Sequence, residues 1–122
     1  MDLNLYMQNN PGMRPRDEVR IERVEAEPFP DGRRIRVQVD VTPFRERPNL
    51  EIVLHDAQGR NVGEASVIAT MTFKMEFTLH LRGMADPAGS YTVDVALYYD
   101  DPLAPQDQRR IDLSLPSSSE LD

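Results

Sequence analysis

The sequence predicts an all-β fold, an antiparallel β-sandwich of about seven strands. Three observations predict it. Apolar and polar residues alternate with period two over several runs. Turn residues separate those runs at short, regular spacing. No segment of helical period is long enough to compete. At 122 residues, with 39% apolar and 29% charged side chains, the chain is the size of one domain with a core of its own.

The strands follow in order. "VRIERVEAE" turns Val19 and Ile21 inward, then resumes with Val24 and Ala26 in the opposite phase. One extra residue between two halves predicts a β-bulge or a crossing between sheets. "RIRVQVDV" places Ile35, Val37, Val39 and Val41 on one face and Arg34, Arg36, Gln38 and Asp40 on the other. "NLEIVLHD" turns in Leu50, Ile52 and Leu54. "NVGEASVIA" is apolar, but its phase is unclear and Gly63 weakens it. "MTFKMEFTLHLR" is expected to bury Met71, Phe73, Met75, Phe77, Leu79 and Leu81. "GSYTVDVALYY" buries Tyr91, Val93, Val95, Leu97 and Tyr99, and "RIDLSL" buries Ile111, Leu113 and Leu115. Each fully buried Val, Leu, Ile, Phe or Met is worth roughly 1.5–3 kcal/mol, which assigns these positions to the core.

Glycine and proline punctuate the runs. "PFPDGR", "TPFRERPN", "DAQGR", "RGMADPAG" and "YDDPLAPQDQR" each contain residues that fix φ or permit positive φ, and each ends a strand. The expected organisation is a flexible arm or edge strand over residues 1–16, the sandwich over 17–116 and a disordered tail over 117–122. Within the arm, Leu3, Leu5 and Met7 alternate before the "NNPG" break.

Composition excludes several classes of function. The chain has no cysteine, which removes disulfides, thiolate metal sites and cysteine nucleophiles. The net charge is −7, and most of the imbalance lies in residues 84–122, where eight acids stand against Arg109 and Arg110, so nucleic-acid binding through a basic footprint is not expected. No run approaches a membrane span, and the opening residues lack the pattern of a secretory signal. A soluble, cytoplasmic protein without membrane partners is therefore expected.

"GSYTVDVAL" follows a loop and supplies the sixth of seven strands. With Gly89 and Tyr91 near its start, it resembles the F strand of immunoglobulin-like sandwiches. In those domains the tyrosine hydroxyl ties the strand to the preceding chain. The position of the second antibody cysteine is Val93 here, and the chain contains no tryptophan. The resemblance is thus to the disulfide-free bacterial immunoglobulin-like and fibronectin type III-like domains, over about residues 19–115. It implies a structural role for Gly89 and Tyr91, and it implies no activity.

Candidate chemistry is sparse. His55 and His80 are the only imidazoles, and both fall on the outward phase of their strands. Without a third ligand or a paired nucleophile they make neither a zinc site nor a catalytic base. Asp100, Asp101 and Asp107 flank one loop, and "TPFRERPN", with Glu46, is expected at the same end of the sandwich. Clustered loop carboxylates are the donors calcium uses, so these three are the candidate metal residues. The third candidate is a sheet face. In an immunoglobulin-like layout strands A, B and E share one sheet, whose outside carries Arg34, Arg36, Asp40, Lys74 and Glu76 as an ordinary solvated surface. Strands C, F and G show Val53, His55, Thr92, Ala96, Tyr98 and Ser114, a face expected to carry few charges. Val53, His55, Ala96 and Tyr98 are the candidate protein-contact residues, because such a face loses little on desolvation and an aromatic anchors it.

The function expected is that of a non-catalytic protein-interaction or structural domain that binds a protein partner or self-associates, with no cofactor. The alternative is a small-ligand, glycan or calcium-binding sandwich that uses the loops at the Asp100–Asp101 end, with Phe44 among its contacts.

Overall fold

A computed structural model describes residues 12–81 and 87–116 of the chain. The runs of alternation become seven strands: β1 (Ile21–Pro28), β2 (Arg34–Val41), β3 (Asn49–His55), β4 (Asn61–Val67), β5 (Lys74–His80), β6 (Gly89–Tyr98) and β7 (Asp107–Leu115). They form two sheets with strand orders β1-β2-β5 and β4-β3-β6-β7, and every pairing is antiparallel. In the lettering of immunoglobulin-like domains, β1, β2 and β5 are A, B and E, and β3, β6 and β7 are C, F and G. The fourth strand pairs with C rather than with E. That separates this sandwich from the constant-type order, in which the fourth strand belongs to the A-B-E sheet.

The core lies between the sheets and is built by the central strands. Ile35, Val37, Val39 and Val41 of β2 meet Leu50, Ile52 and Leu54 of β3 and Tyr91, Val93, Val95 and Leu97 of β6, all buried. Strands with neighbours on both sides bury their inward residues completely. The outer strands β1, β5, β4 and β7 bury most of theirs only in part, as at Val24, Phe77, Ala65 and Ile111. The phase break in the first strand is a bulge. Ile21 faces Val41 while Arg23 faces Asp40, so Glu22 is the extra residue. In β4 the register shifts between Leu54 and His55 of its partner, which explains why no single phase fits "NVGEASV".

One inward assignment is corrected. Met71 is 65% exposed, because β5 begins only at Lys74 and residues 68–73 form a separate connection. There Thr70 turns the chain, its hydroxyl donating to the Thr72 carbonyl at 3.3 Å. Alternation carries a phase but does not mark where pairing starts. Tyr99 lies one residue past the end of β6 and is half-buried, its hydroxyl donating to the Glu46 carbonyl at 2.9 Å. Burial, and then the Glu46 carboxylate, push the Tyr99 phenol up to about 12 against the opposing pull of Arg16.

The turn between β3 and β4 is organised by Asp56. Its Oδ1 accepts from the Gln58 and Arg60 amides, each at 2.9 Å, and its Oδ2 accepts from Arg60 Nε at 2.8 Å. Gly59, at φ 80°, allows the tight closure. The Arg60 amide first, then the Arg60 side chain and the Gln58 amide, hold the Asp56 carboxyl below its ordinary 3.8, although burial opposes them. The unfolded chain therefore takes up this proton at a higher pH than the folded one. The contribution of Asp56 to stability is expected to be complete above the ordinary carboxylate range and lost as pH falls through the lower folded value. Urea midpoints measured downwards from pH 5 test this. Replacing Asp56 with Asn is expected to flatten the acid limb, and an unchanged limb would refute the assignment.

Residues 3–7 and the tail 117–122, for which an edge strand and disorder were expected, lie outside the described residues.

Candidate functional site

Pairing register places the candidate contact residues on one surface, the outside of the four-stranded sheet. Val53 of β3 stands opposite Asp94 of β6, which stands opposite Arg110 of β7. The next rows are Glu51–Ala96–Gln108 and His55–Thr92–Asp112, and Tyr98 faces Asn49 at the end of β6. Val53, His55, Ala96 and Tyr98 are all partly accessible, and Ser114 is exposed.

This face is more charged than its β3 and β6 residues suggested. Asp94 sits at its centre. Asp94 Oδ1 accepts from Arg110 Nε at 2.7 Å, and Oδ2 lies 2.9 Å from His55 Nδ1. Asp94 Oδ2 is buried and, apart from this approach of His55, has no hydrogen-bond partner. Glu51, Arg110 and Asp112 join the same surface through register. The expectation of few charges failed because it omitted Glu51, Asp94 and the charged residues of β7, although all three strands were recognised. Between these groups runs a shallow groove of about 470 Å³, with Val53 and Ala96 on its floor and Pro102 of the β6–β7 loop at its rim.

A carboxylate on the Nδ1 side of a histidine is the arrangement that orients a general base. Such a base also needs a nucleophile or polarised water within reach of its other nitrogen. The groove lining contains no serine, threonine or cysteine side chain. With Arg110 on its other oxygen, Asp94 links β3, β6 and β7. His80, the other imidazole, is exposed on β5 at the outer face of the opposite sheet, paired in register with Arg34.

The loop carboxylates are distributed differently. Asp100 accepts from Arg16 Nη1 at 2.8 Å, and Arg16 also pairs with Glu46 while its guanidinium carbon lies 4.6 Å from the Tyr99 ring centre. Asp101 Oδ1 accepts from the Leu103 amide at 2.9 Å and closes its own turn. Asp107 Oδ2 accepts from the Ile21 amide at 2.7 Å and Oδ1 from the Gln108 amide at 3.0 Å. The three carboxylates thus serve three different partners. Among the described residues no three His, Asp or Glu side chains are placed to share a metal ion. Phe44, a suggested loop contact, is fully buried and packs edge-on against Phe73, with ring centres 4.8 Å apart at 85°. This corrects its assignment to a binding loop.

At the start of β6 the Tyr91 hydroxyl donates to the Pro87 carbonyl, four residues upstream, and Gly89 adopts φ 135°. On β7, Arg109 Nη2 donates to the Ile21 carbonyl at 2.8 Å. The sequence reading did not assign Arg109 this contact. Its position two residues from Asp107, in the same phase, was the signal that both reach one target.

Two facing sheets, a tyrosine tie before strand F and a cysteine-free core define an immunoglobulin-like β-sandwich domain. No protein-family model matches the chain, and no curated protein matches it. Similar solved structures include a Bifidobacterium dentium β-glucuronidase complexed with coumarin-3-O-glucuronide, at TM-score 0.60 and 16% identity over 81% of this chain and 18% of that one. The chicken interferon gamma receptor alpha chain gives 0.59 and 10% identity over 80% of this chain and 51% of that one. A glycosyl hydrolase family 2 member from Bacteroides cellulosilyticus gives 0.53 and 17% identity over 80% and 15%. The chain spans less than a fifth of the two glycosidases and about half of the receptor chain. At these identities the likeness is one of fold.

Proposed function

We propose that this chain is a non-catalytic protein-interaction domain that binds through the outer face of the β4-β3-β6-β7 sheet. The observation that carries the reading is the groove in which Val53 and Ala96 form an apolar floor beside the His55–Asp94–Arg110 network. An apolar centre beside charged groups that are already ion-paired with one another suits a protein contact, because the partner need not supply a full set of compensating charges. Tyr98, on the same face, is the aromatic anchor. The non-catalytic part of the proposal is supported by a histidine–carboxylate pair whose groove lining holds no serine, threonine or cysteine. It is supported also by the small share of the similar glycosidases to which this fold corresponds. A reducing, cytoplasmic setting belongs to the proposal and is supported by the cysteine-free sequence.

The test pairs wild type with Tyr98→Asp and Ala96→Arg in a capture from native lysate, with self-association followed by sedimentation. A hot-spot contribution of about 2 kcal/mol or more predicts at least a roughly thirtyfold loss of binding for the bound partner, or for a second copy. The thermal midpoint is expected to stay close to wild type. A partner held equally by wild type and both variants would overturn the assignment to this face.

A further inference from the structure

The two sheets leave four edge strands, and three of them are interrupted or covered. β1 is broken by its bulge at Glu22 and ends at Pro28. The Asp107 and Arg109 side chains of β7 bind the Ile21 backbone, so β1 and β7 close one side of the sandwich. β4 carries Gly63 and a register shift against β3. β5 has none of these devices. Its seven residues hold one unbroken register with β2 and include no proline or glycine. Among the described residues no strand pairs with its other side. An edge of that kind is a template for another strand.

The hydrogen-bond phase of β5 is fixed at both ends. The Leu81 amide donates to the Arg33 carbonyl and the Val41 amide to the Phe73 carbonyl, each at 2.9 Å. Phe73, Met75, Phe77, Leu79 and Leu81 therefore turn their backbone groups to β2. Lys74, Glu76, Thr78 and His80 turn theirs to the open edge, and their side chains are exposed. The position of Gly63 agrees with this direction, since a Cβ there would lie 3.8 Å from the His80 carbonyl oxygen. The approach of β4 at the His80 end favours a pairing centred nearer Lys74.

We propose that β5 pairs antiparallel with β5 of a second copy of this chain, about a twofold axis at Met75, and so joins the two β1-β2-β5 sheets into one continuous sheet. Charge selects both the partner and the register. Lys74 faces Asp40, whose carboxylate lies 3.8 Å from Arg23, and Lys74 makes no ion pair among the described residues. Glu76 Oε1 accepts from Gln38 Nε2 at 3.4 Å and lies 3.6 Å from Arg36 Nε. With Met75 on the axis, Lys74 stands opposite Glu76 of the second copy, and Glu76 stands opposite its Lys74. Opposite charges then face each other on both sides of the axis, and each pair exchanges both backbone hydrogen bonds. Half-buried Phe73 comes to face half-buried Phe77, which covers apolar surface left open at the edge. The two neighbouring registers of the same phase set Lys74 against Lys74 or Glu76 against Glu76, and like charges directly opposite repel. Lysine on an edge ordinarily deters pairing, but here the second copy answers it with a glutamate two residues on. This edge belongs to the sheet opposite the face of the proposed function, so either reading can fail alone.

Sedimentation of the full chain over a wide concentration range tests the pairing in wild type, Lys74→Glu, Glu76→Lys and the double exchange. Wild type is expected to dimerise. Each single variant is expected to associate at least about tenfold more weakly, because like charges then face each other on both sides of the axis. The double exchange is expected to restore wild-type association. A wild type that stays monomeric, single variants that dimerise like wild type, or a double exchange as weak as either single variant would overturn the proposal. So would a dimer lost in Tyr98→Asp but kept in Lys74→Glu, which would move self-association to the other sheet. The absence of native cysteine permits a second readout. Across the axis the two Met75 residues form a non-hydrogen-bonded pair with Cα atoms about 4.5 Å apart, within the range a disulfide spans. Met75→Cys is therefore expected to give disulfide-linked dimers. Thr78→Cys is not, because its two copies lie about 20 Å apart along the strands. Equal yields from the two variants would overturn the register.

Discussion

Replacing Phe44 with alanine is expected to destabilise the domain by about 3–5 kcal/mol, the usual range for truncating a buried aromatic. For a domain near 100 residues each kcal/mol shifts the thermal midpoint by roughly 4–8 °C, so a fall of more than about 12 °C is expected. Phe44 is fully buried, its edge-on contact with Phe73 ties the β2–β3 loop to the start of β5, and the Arg14 backbone pairs on either side of it. A cavity here opens the end of the sandwich where three connections meet, and those connections have little freedom to collapse into it. Calorimetry on Phe44→Ala, with Leu103→Ala as a control on the same end, decides the matter. The control should stay within about 0.5 kcal/mol of wild type, as exposed positions do. Equal and small effects for both would mean that Phe44 does not close the core.

The second large effect is expected at Asp107. Its carboxylate accepts the Ile21 amide proton at 2.7 Å, while Arg109 donates to the Ile21 carbonyl at 2.8 Å. Ile21 is at the bulge, where the β1 ladder is interrupted and its backbone groups need partners from outside the sheet. Two side chains of β7 supply them and so join the edge strands of the two sheets. Asp107→Ala leaves a buried amide without its acceptor and is expected to cost about 1–3 kcal/mol. Asp107→Asn retains an acceptor oxygen and should cost less. Urea unfolding with an unchanged m-value is the measurement. The same samples with millimolar calcium should show the same midpoints. A calcium-dependent rise in wild type, abolished by Asp107→Ala, would return Asp107 to the role of a metal ligand.

Much of the fold was legible in the sequence, because alternation is a local record of which side of a strand meets the core. Ile35 to Val41, Leu50 to Leu54 and Tyr91 to Leu97 each have one buried face and one accessible face, and period two reports that without knowledge of the partner strand. The bulge after Ile21 was legible for the same reason, as a break in phase. The candidate face was partly legible. Its β3 and β6 positions follow from phase, but the charge of that face depends on which β7 residues stand beside them. The placement of Arg110 beside Asp94 is a matter of register between strands joined by a long loop.

Other features were decided by contacts between residues far apart in the chain. Phe44 lies between two prolines among arginines and a glutamate, so its neighbours in sequence mark it as a loop residue. Its burial comes from Phe73, twenty-nine positions away. Met71 keeps the phase of β5 yet stands in solvent, because pairing with β2 ends at Lys74. The pairing of β4 with β3, and the use of Asp107 and Arg109 to complete Ile21, likewise depend on the relative placement of whole strands. Local sequence determines which way a side chain points from its own backbone. What that side chain meets is set by the packing of the sheets, since hydrogen bonds and apolar contacts act over a few ångströms of space whatever the separation along the chain.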